Sequence, residues 1–185
     1  EKLKTEPAYK NAFIDGEDAI VHADSKTLLV LVDTNRPEQA EDGRLLEACH
    51  HVAVIDHHRR AATYVEKPDL SYIEPYASSA CELMTEILQV VTEPSDLLSA
   101  EAEAMLSGIV LDTKNFNVRT GERTFEAAAS LRRLGADTTD VKLLLQNDFQ
   151  DTMAKYQIIK SSRLYRQEIA IAALNTGTTR VLAAQ

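Results

Sequence analysis

Leu28-Leu29-Val30-Leu31-Val32-Asp33 and Val52-Ala53-Val54-Ile55-Asp56-His57-His58 share one pattern, an unbroken apolar run that ends on an aspartate. A continuous run, unlike an alternating one, reads as a strand buried on both faces, the form strands take in parallel sheets. Between the two runs Pro37 and Gly43 mark a turn, and Leu45 to Ala48 reads as helical. Strand, helix and strand within about 30 residues make a parallel crossover unit. The predicted fold class is therefore α/β, a parallel sheet flanked by helices.

Further along, Ser79-x-x-Glu82 has the form of a capping box and leads into Leu83, Met84, Ile87, Leu88 and Val91 at helical spacing, with Pro94 just beyond. Ala102, Met105, Leu106, Ile109 and Val110 repeat the helical rule, and Glu101 and Glu103 suit that helix's positive N-terminus. This second helix delivers Asp112. Helices are expected over 124–134, 139–149 and 151–164, with Gly135 as a stop between the first two. Residues 168–174 read as a strand, 175–177 as a turn and 180–185 as a helix cut off as it begins. Asp15-Gly16-Glu17-Asp18 reads as a loop.

The chain has 185 residues, room for one generous domain or for a core domain with part of a second. With 44% hydrophobic and 26% charged residues it has the composition of a globular protein with a sizeable core, which excludes disordered and low-complexity classes. Acidic residues outnumber basic ones 29 to 20, and the net charge of -9 argues against duplex nucleic acid or an anionic membrane as partner. A small phosphorylated ligand held through metal remains allowed. No apolar stretch approaches the roughly 20 residues of a membrane span, so no membrane contact is expected from this segment. Cys49 and Cys81 suggest neither a disulfide framework nor a zinc ribbon, which fits a reducing cytosol.

Ligands of open parallel sheets bind outside the carboxyl ends of the strands, and Asp33 and Asp56 each follow such an end directly. His57 and His58 come next in the chain, and Asp112 arrives where an apolar helix turns acidic. Unpaired buried carboxylates are costly, so such a group shifts its pKa, finds a cation or is not buried. The mixture of carboxylate and imidazole suits Mn²⁺, Fe²⁺, Co²⁺ or Zn²⁺ better than Ca²⁺ or Mg²⁺. Two such ions would stabilise the attacking and leaving oxygens of a phosphoryl displacement. Taken alone, Asp33 or Asp112 reads as a turn or cap residue, and only the grouping with Asp56-His57-His58 favours a site. His50 and His51 precede the second strand at its opposite end and read as solvated, as does His22.

The sequence Val54-Ile55-Asp56-His57-His58 resembles the signature of the DHH phosphoesterases, which include RecJ-type exonucleases, family II pyrophosphatases and cyclic dinucleotide phosphodiesterases. Three more segments, Val32 to Pro37, Tyr72 to Ala80, and Leu111 to Phe116 with Arg123 to Ala128, are similar to the membrane-anchored cyclic di-AMP phosphodiesterases of Gram-positive bacteria. The resemblance implies that Asp33 bridges two Mn²⁺ ions and that His57 and Asp112 complete the second metal. It implies that Asp56 orients the cluster from behind, and that His58 faces the phosphate to stabilise charge or protonate the leaving oxygen. The reaction implied is hydrolysis of cyclic di-AMP to pApA.

The resemblance also sets expectations about extent. Residues 1–165 would be the DHH catalytic domain without its N-terminal part, since no His and Asp-x-Asp metal motif stands in residues 1–32. Residues 166–185 would open the DHH-associated C-terminal domain, without its Gly-Gly-Gly-His motif. On this reading the chain alone is inactive, and its parent sits at the cytoplasmic face, anchored by segments not present here. The partner is a small cyclic dinucleotide, and a homodimer is allowed. Two alternatives stand beside it: a RecJ-like or nanoRNase-like nuclease, disfavoured by the charge and by 5% aromatic residues, and a non-catalytic regulatory or dimerising fragment.

Overall fold

A computed structural model describes residue 3 and residues 6–146 and 149–173. The chain divides into two compact units, Glu1–Leu144 and Leu145–Gln185. In the first, β1 (Leu28–Val32), β2 (His51–Asp56) and β3 (Leu70–Ile73) form a parallel sheet in the order β1-β2-β3. The parallel α/β class expected from the two apolar runs is what the structure shows.

The central strand β2 is buried from Ala53 through Asp56, as a continuous apolar run predicts. In β1 the same pattern has a different outcome. Only Leu31 is buried, while Leu28, Val30 and Val32, which share a face by their spacing of two, are exposed. Among the described residues, β1 stands at the edge of the sheet and pairs on one side alone.

The helices are α1 (Gly16–His22), α2 (Leu45–Ala48), α3 (Ala80–Val91), α4 (Ser99–Asp112), α5 (Glu122–Arg133) and α6 (Thr138–Leu144). α1 corrects the reading of residues 15–18 as a loop: Asp15 is its N-cap and accepts the Asp18 amide at 2.9 Å. α3 packs on β2 and on both α4 and α5. Ile55, Ala77 and Leu83 form a buried cluster there, with Tyr72, Met84 and Ile87 against it. Leu83, Ile109 and Leu131 have at most 1% of their surface exposed. Truncating any of them to alanine is expected to cost about 2 to 5 kcal/mol. Gly135, at φ 102, ends α5 as expected, and the Ala136 amide closes onto the Leu131 carbonyl.

The Ser79 box forms by half. The Ser79 hydroxyl accepts the Glu82 amide at 3.1 Å. The Glu82 carboxylate, itself buried, accepts instead from the Ser78 hydroxyl at 2.5 Å and the Thr124 hydroxyl at 2.7 Å. One acid thereby ties the start of α3 to the start of α5.

In the second unit, α7 (Phe149–Ser161) is followed by β4 (Arg163–Tyr165), antiparallel to β5 (Ile169–Ile171). The helix expected over 151–164 therefore stops short, and Leu164 lies in a strand. The hydroxyls of Ser161 and Ser162 bond the Ile158 and Ile159 carbonyls and so compete with another helical turn. α6 likewise ends at Leu144, short of the expected 149. The turn at 175–177 and the helix at 180–185 lie outside the described residues. Among the described residues no helix is long and apolar enough to cross a membrane.

Candidate functional site

The pairing of Val32 with Ile55 sets the ends of β1 and β2 abreast, and the Asp33 amide continues the ladder by donating to the Ile55 carbonyl at 3.0 Å. Asp33 then turns into the left-handed region, with φ 65. Aspartate is one of the few residues besides glycine that visits this region routinely, at a cost of about 1 to 2 kcal/mol. The turn aims its carboxylate at the next strand, where His57 Nε2 lies 3.2 Å from Asp33 Oδ1. From the C-terminal end of α4, Asp112 Oδ2 approaches the same nitrogen at 3.6 Å. Asp33, His57 and Asp112, picked out from separate stretches of sequence, thus meet around one imidazole.

His57 is the buried member of this cluster, its side chain only 4% exposed, whereas the Asp33 side chain is 57% exposed. Of the outcomes open to a strand-end carboxylate, Asp33 shows exposure: it is open to solvent, and Asp112 partly so. The buried acid is Asp56, and it is fully hydrogen-bonded. Its Oδ2 accepts the Asn35 amide at 2.6 Å, and its Oδ1 accepts the His58 backbone N–H at 3.1 Å and lies 2.7 Å from His58 Nδ1. Asp56 is thus held by Asn35 on one oxygen and by His58 on the other. The rings of His57 and His58 lie 4.4 Å apart, centroid to centroid.

Electrostatics follow from these contacts. The hydrogen bond with His57 holds the Asp33 carboxyl below its usual range, and the same bond raises the His57 pKa against the opposing effect of burial. Burial raises the Asp112 pKa, which the neighbouring His57 offsets only in part. His57 thus stands between two carboxylates, at a position where a cation could sit. Its other nitrogen, Nδ1, is buried without a hydrogen bond of good geometry, although the Ala77 backbone nearby favours the protonated ring. Asp33, His57 and His58 each offer a donor atom, all within 4.8 Å of one another. This donor set fits a divalent transition metal ion. His58, expected to face phosphate, is therefore within reach of a cation held by its neighbours as well.

Sequence reasoning missed Asn35 as a partner of Asp56, and Glu82 as the link between the starts of α3 and α5. Asn35 is 3% exposed, and its two contacts, to Asp56 and to the Ala61 amide at 3.4 Å, cross 21 and 26 residues. Nothing local in Asp33-Thr34-Asn35 signals them. His51 begins β2 and stands 3.4 Å from Asp69, away from the cluster, and His22 caps its own helix by bonding the Asp18 carbonyl, as expected of solvated residues.

Comparison with known proteins places this geometry. The model of the DHH family N-terminal domain matches residues 3–109, a span that includes Asp33 and Asp56-His57-His58 and stops short of Asp112. The chain is 43% identical over 162 residues to the cyclic-di-AMP phosphodiesterase GdpP of Bacillus subtilis, covering 88% of this chain and 25% of that protein. It is 45% identical over 154 residues to the cyclic-di-AMP phosphodiesterase PdeA of Listeria monocytogenes, covering 83% of this chain and 23% of that one. The chain thus spans about a quarter of the length of these curated relatives. In fold it is similar to an exopolyphosphatase-related protein from Bacteroides fragilis, with a TM-score of 0.72 at 18% identity, over 89% of this chain and 50% of the other.

Proposed function

This chain belongs to the DHH family, and from that premise we propose that it is part of the catalytic region of a metal-dependent phosphodiesterase that hydrolyses cyclic di-AMP to pApA. The observation that carries the reading is the meeting of Asp33 and Asp112 around His57 Nε2, at 3.2 and 3.6 Å. The relatives bearing that activity in their names match most of this chain, which supports the choice of substrate.

In this reading Asp33, His57 and Asp112 would hold a divalent cation, Mn²⁺ by preference. Bound there, such an ion would supply positive charge toward a water and the phosphate. Asp56 fixes the orientation of His58 and leaves that ring's Nε2 edge directed away from the carboxylate. His58 lends a proton or positive charge to the departing oxygen. His57, buried and wedged between acids, keeps Asp33 aimed into the cleft. The parent protein is proposed to be membrane-anchored through segments outside this chain.

The test is to incubate the full-length protein that carries this chain with Mn²⁺ and cyclic di-AMP and to follow products by chromatography. Formation of pApA, abolished by chelation, is expected. Inertness toward cyclic di-AMP with efficient degradation of short oligoribonucleotides would replace this reading with the nuclease one.

A further inference from the structure

The cleft described so far can hold phosphate, yet nothing in its carboxylates and imidazoles can engage a base. A surface suited to that task begins four residues after Asp112, on the turn anchored by its neighbour Thr113. Phe116 and Phe125 belong to different elements, and their rings stack with centroids 5.5 Å apart and planes 15° from parallel. Phe125 is in the first turn of α5, directly after Thr124, which is buried and bonded to Glu82. Phe125 itself is 57% exposed. α5 buries Thr124, Ala127, Ser130 and Leu131, so the packing of the helix does not use this ring.

Phe116 is brought to it by a tight reversal after Asp112. Lys114, Asn115 and Phe116 are all left-handed, with φ of 48, 60 and 61, a conformation disfavoured for non-glycine residues and most often found at functional sites. The reversal is anchored on Thr113, wholly buried and next in sequence to Asp112. Its hydroxyl accepts the Phe116 amide at 3.0 Å, and its carbonyl accepts the Asn117 and Val118 amides at 2.9 Å. Arg119, on the same turn, lies close enough to Asp112 to act on its charge. The turn thus holds an aromatic ring within four residues of Asp112, stacked against a second ring left open to solvent.

We propose that the Phe116–Phe125 pair is a stacking platform for one purine of the substrate, with Phe125 supplying the open face; this rests on the phosphodiesterase reading above. Phenylalanine offers a π-face and no hydrogen-bonding group, so the platform adds affinity for a base without choosing among bases. Discrimination between adenine and guanine must come from elsewhere.

The experiment measures binding of AMP and of ribose 5-phosphate to the full-length protein with Mn²⁺, for wild type, Phe125→Ala, Phe125→Leu and Phe125→Trp. The wild type is expected to bind AMP roughly tenfold or more tightly than ribose 5-phosphate, in keeping with base stacking on an aromatic side chain. That ratio should collapse toward one in Phe125→Ala and Phe125→Leu and persist in Phe125→Trp. Should Phe125→Ala fail to fold, the Leu and Trp variants, both bulky and apolar, decide the matter between them. An unchanged ratio in Phe125→Leu, or an equal loss in Phe125→Trp, overturns the platform. Failure of the wild type to hydrolyse cyclic di-AMP while the ratios behave as stated would count against the proposed substrate and leave the platform standing.

Discussion

Asp56 Oδ1 lies 2.7 Å from His58 Nδ1 and also accepts the His58 backbone N–H at 3.1 Å, so a single buried oxygen fixes both the ring and the main chain of that residue. His57, one residue earlier, turns its Nε2 to Asp33 and Asp112 instead. Adjacent histidines therefore present opposite demands to mutation. In the full-length protein, His57→Ala is expected to reduce metal uptake, whereas His58→Ala should leave metal content nearly intact and lower turnover by roughly 10² to 10⁴-fold. Metal stoichiometry beside steady-state rates checks this. Equal metal loss in both would make His58 a ligand, which the 4.8 Å grouping permits.

Asn35 supports the same carboxylate from the other side, and its removal should be felt as instability. Asn35→Ala leaves Asp56 Oδ2 buried without its 2.6 Å donor. A buried acceptor stripped of its partner costs about 1 to 3 kcal/mol, more when charged. Urea unfolding of the variant should show a lowered midpoint. An unchanged midpoint would mean that solvent reaches Asp56 in place of the amide.

Gly108 is a contact point between α4 and α3. A methyl group there would overlap Cys81 Sγ. Gly108→Ala should therefore destabilise by roughly 1 to 3 kcal/mol, the range for overpacking, despite the gain in helix propensity. Combining it with Cys81→Ala should recover much of the loss. A double-mutant cycle in chemical denaturation measures the coupling, and additivity would show that the helices part freely.

Some of this was readable from residue order and some was not. β2 followed from its apolar run because it is a central strand, and α4 followed from its periodicity, so the placement of Asp56, His57 and Asp112 could be anticipated. Periodicity could not distinguish β1 from β2, because which strand stands at the edge depends on sheet order rather than on the run itself. α1 was hidden by Gly16 among acids, although Asp15 three residues before Asp18 is a capping spacing. The roles of Asn35 and Glu82 depend on partners 21 to 42 residues away, and no local pattern carries such information.

The Glu86–Arg123 pair gives a pH signature. Both Glu86 oxygens receive Arg123, at 2.8 and 2.7 Å, and this holds the Glu86 carboxyl below its usual range. A depressed folded-state value means that the stabilisation is present above the unfolded value, near 4.5, and is lost as pH falls through the folded one. Because both side chains are partly exposed, the contribution is about 0.5 kcal/mol. The stability difference between wild type and Glu86→Gln, followed from pH 7 downward, should shrink below about pH 4.5. A difference that stays constant across that range would assign the effect to packing.

The left-handed backbone at Asp33 has a genetic consequence. Its φ of 65 admits few residues, and asparagine tolerates it as well as aspartate does. An aspartate codon becomes an asparagine codon by one base change, so Asp33→Asn should keep the turn and the fold while removing the charge that faces His57. A lineage could silence this site in a single step without making a protein that unfolds. On the proposed phosphodiesterase reading, the resulting protein would lack activity while keeping the fold, and with it the surfaces of the unaltered form.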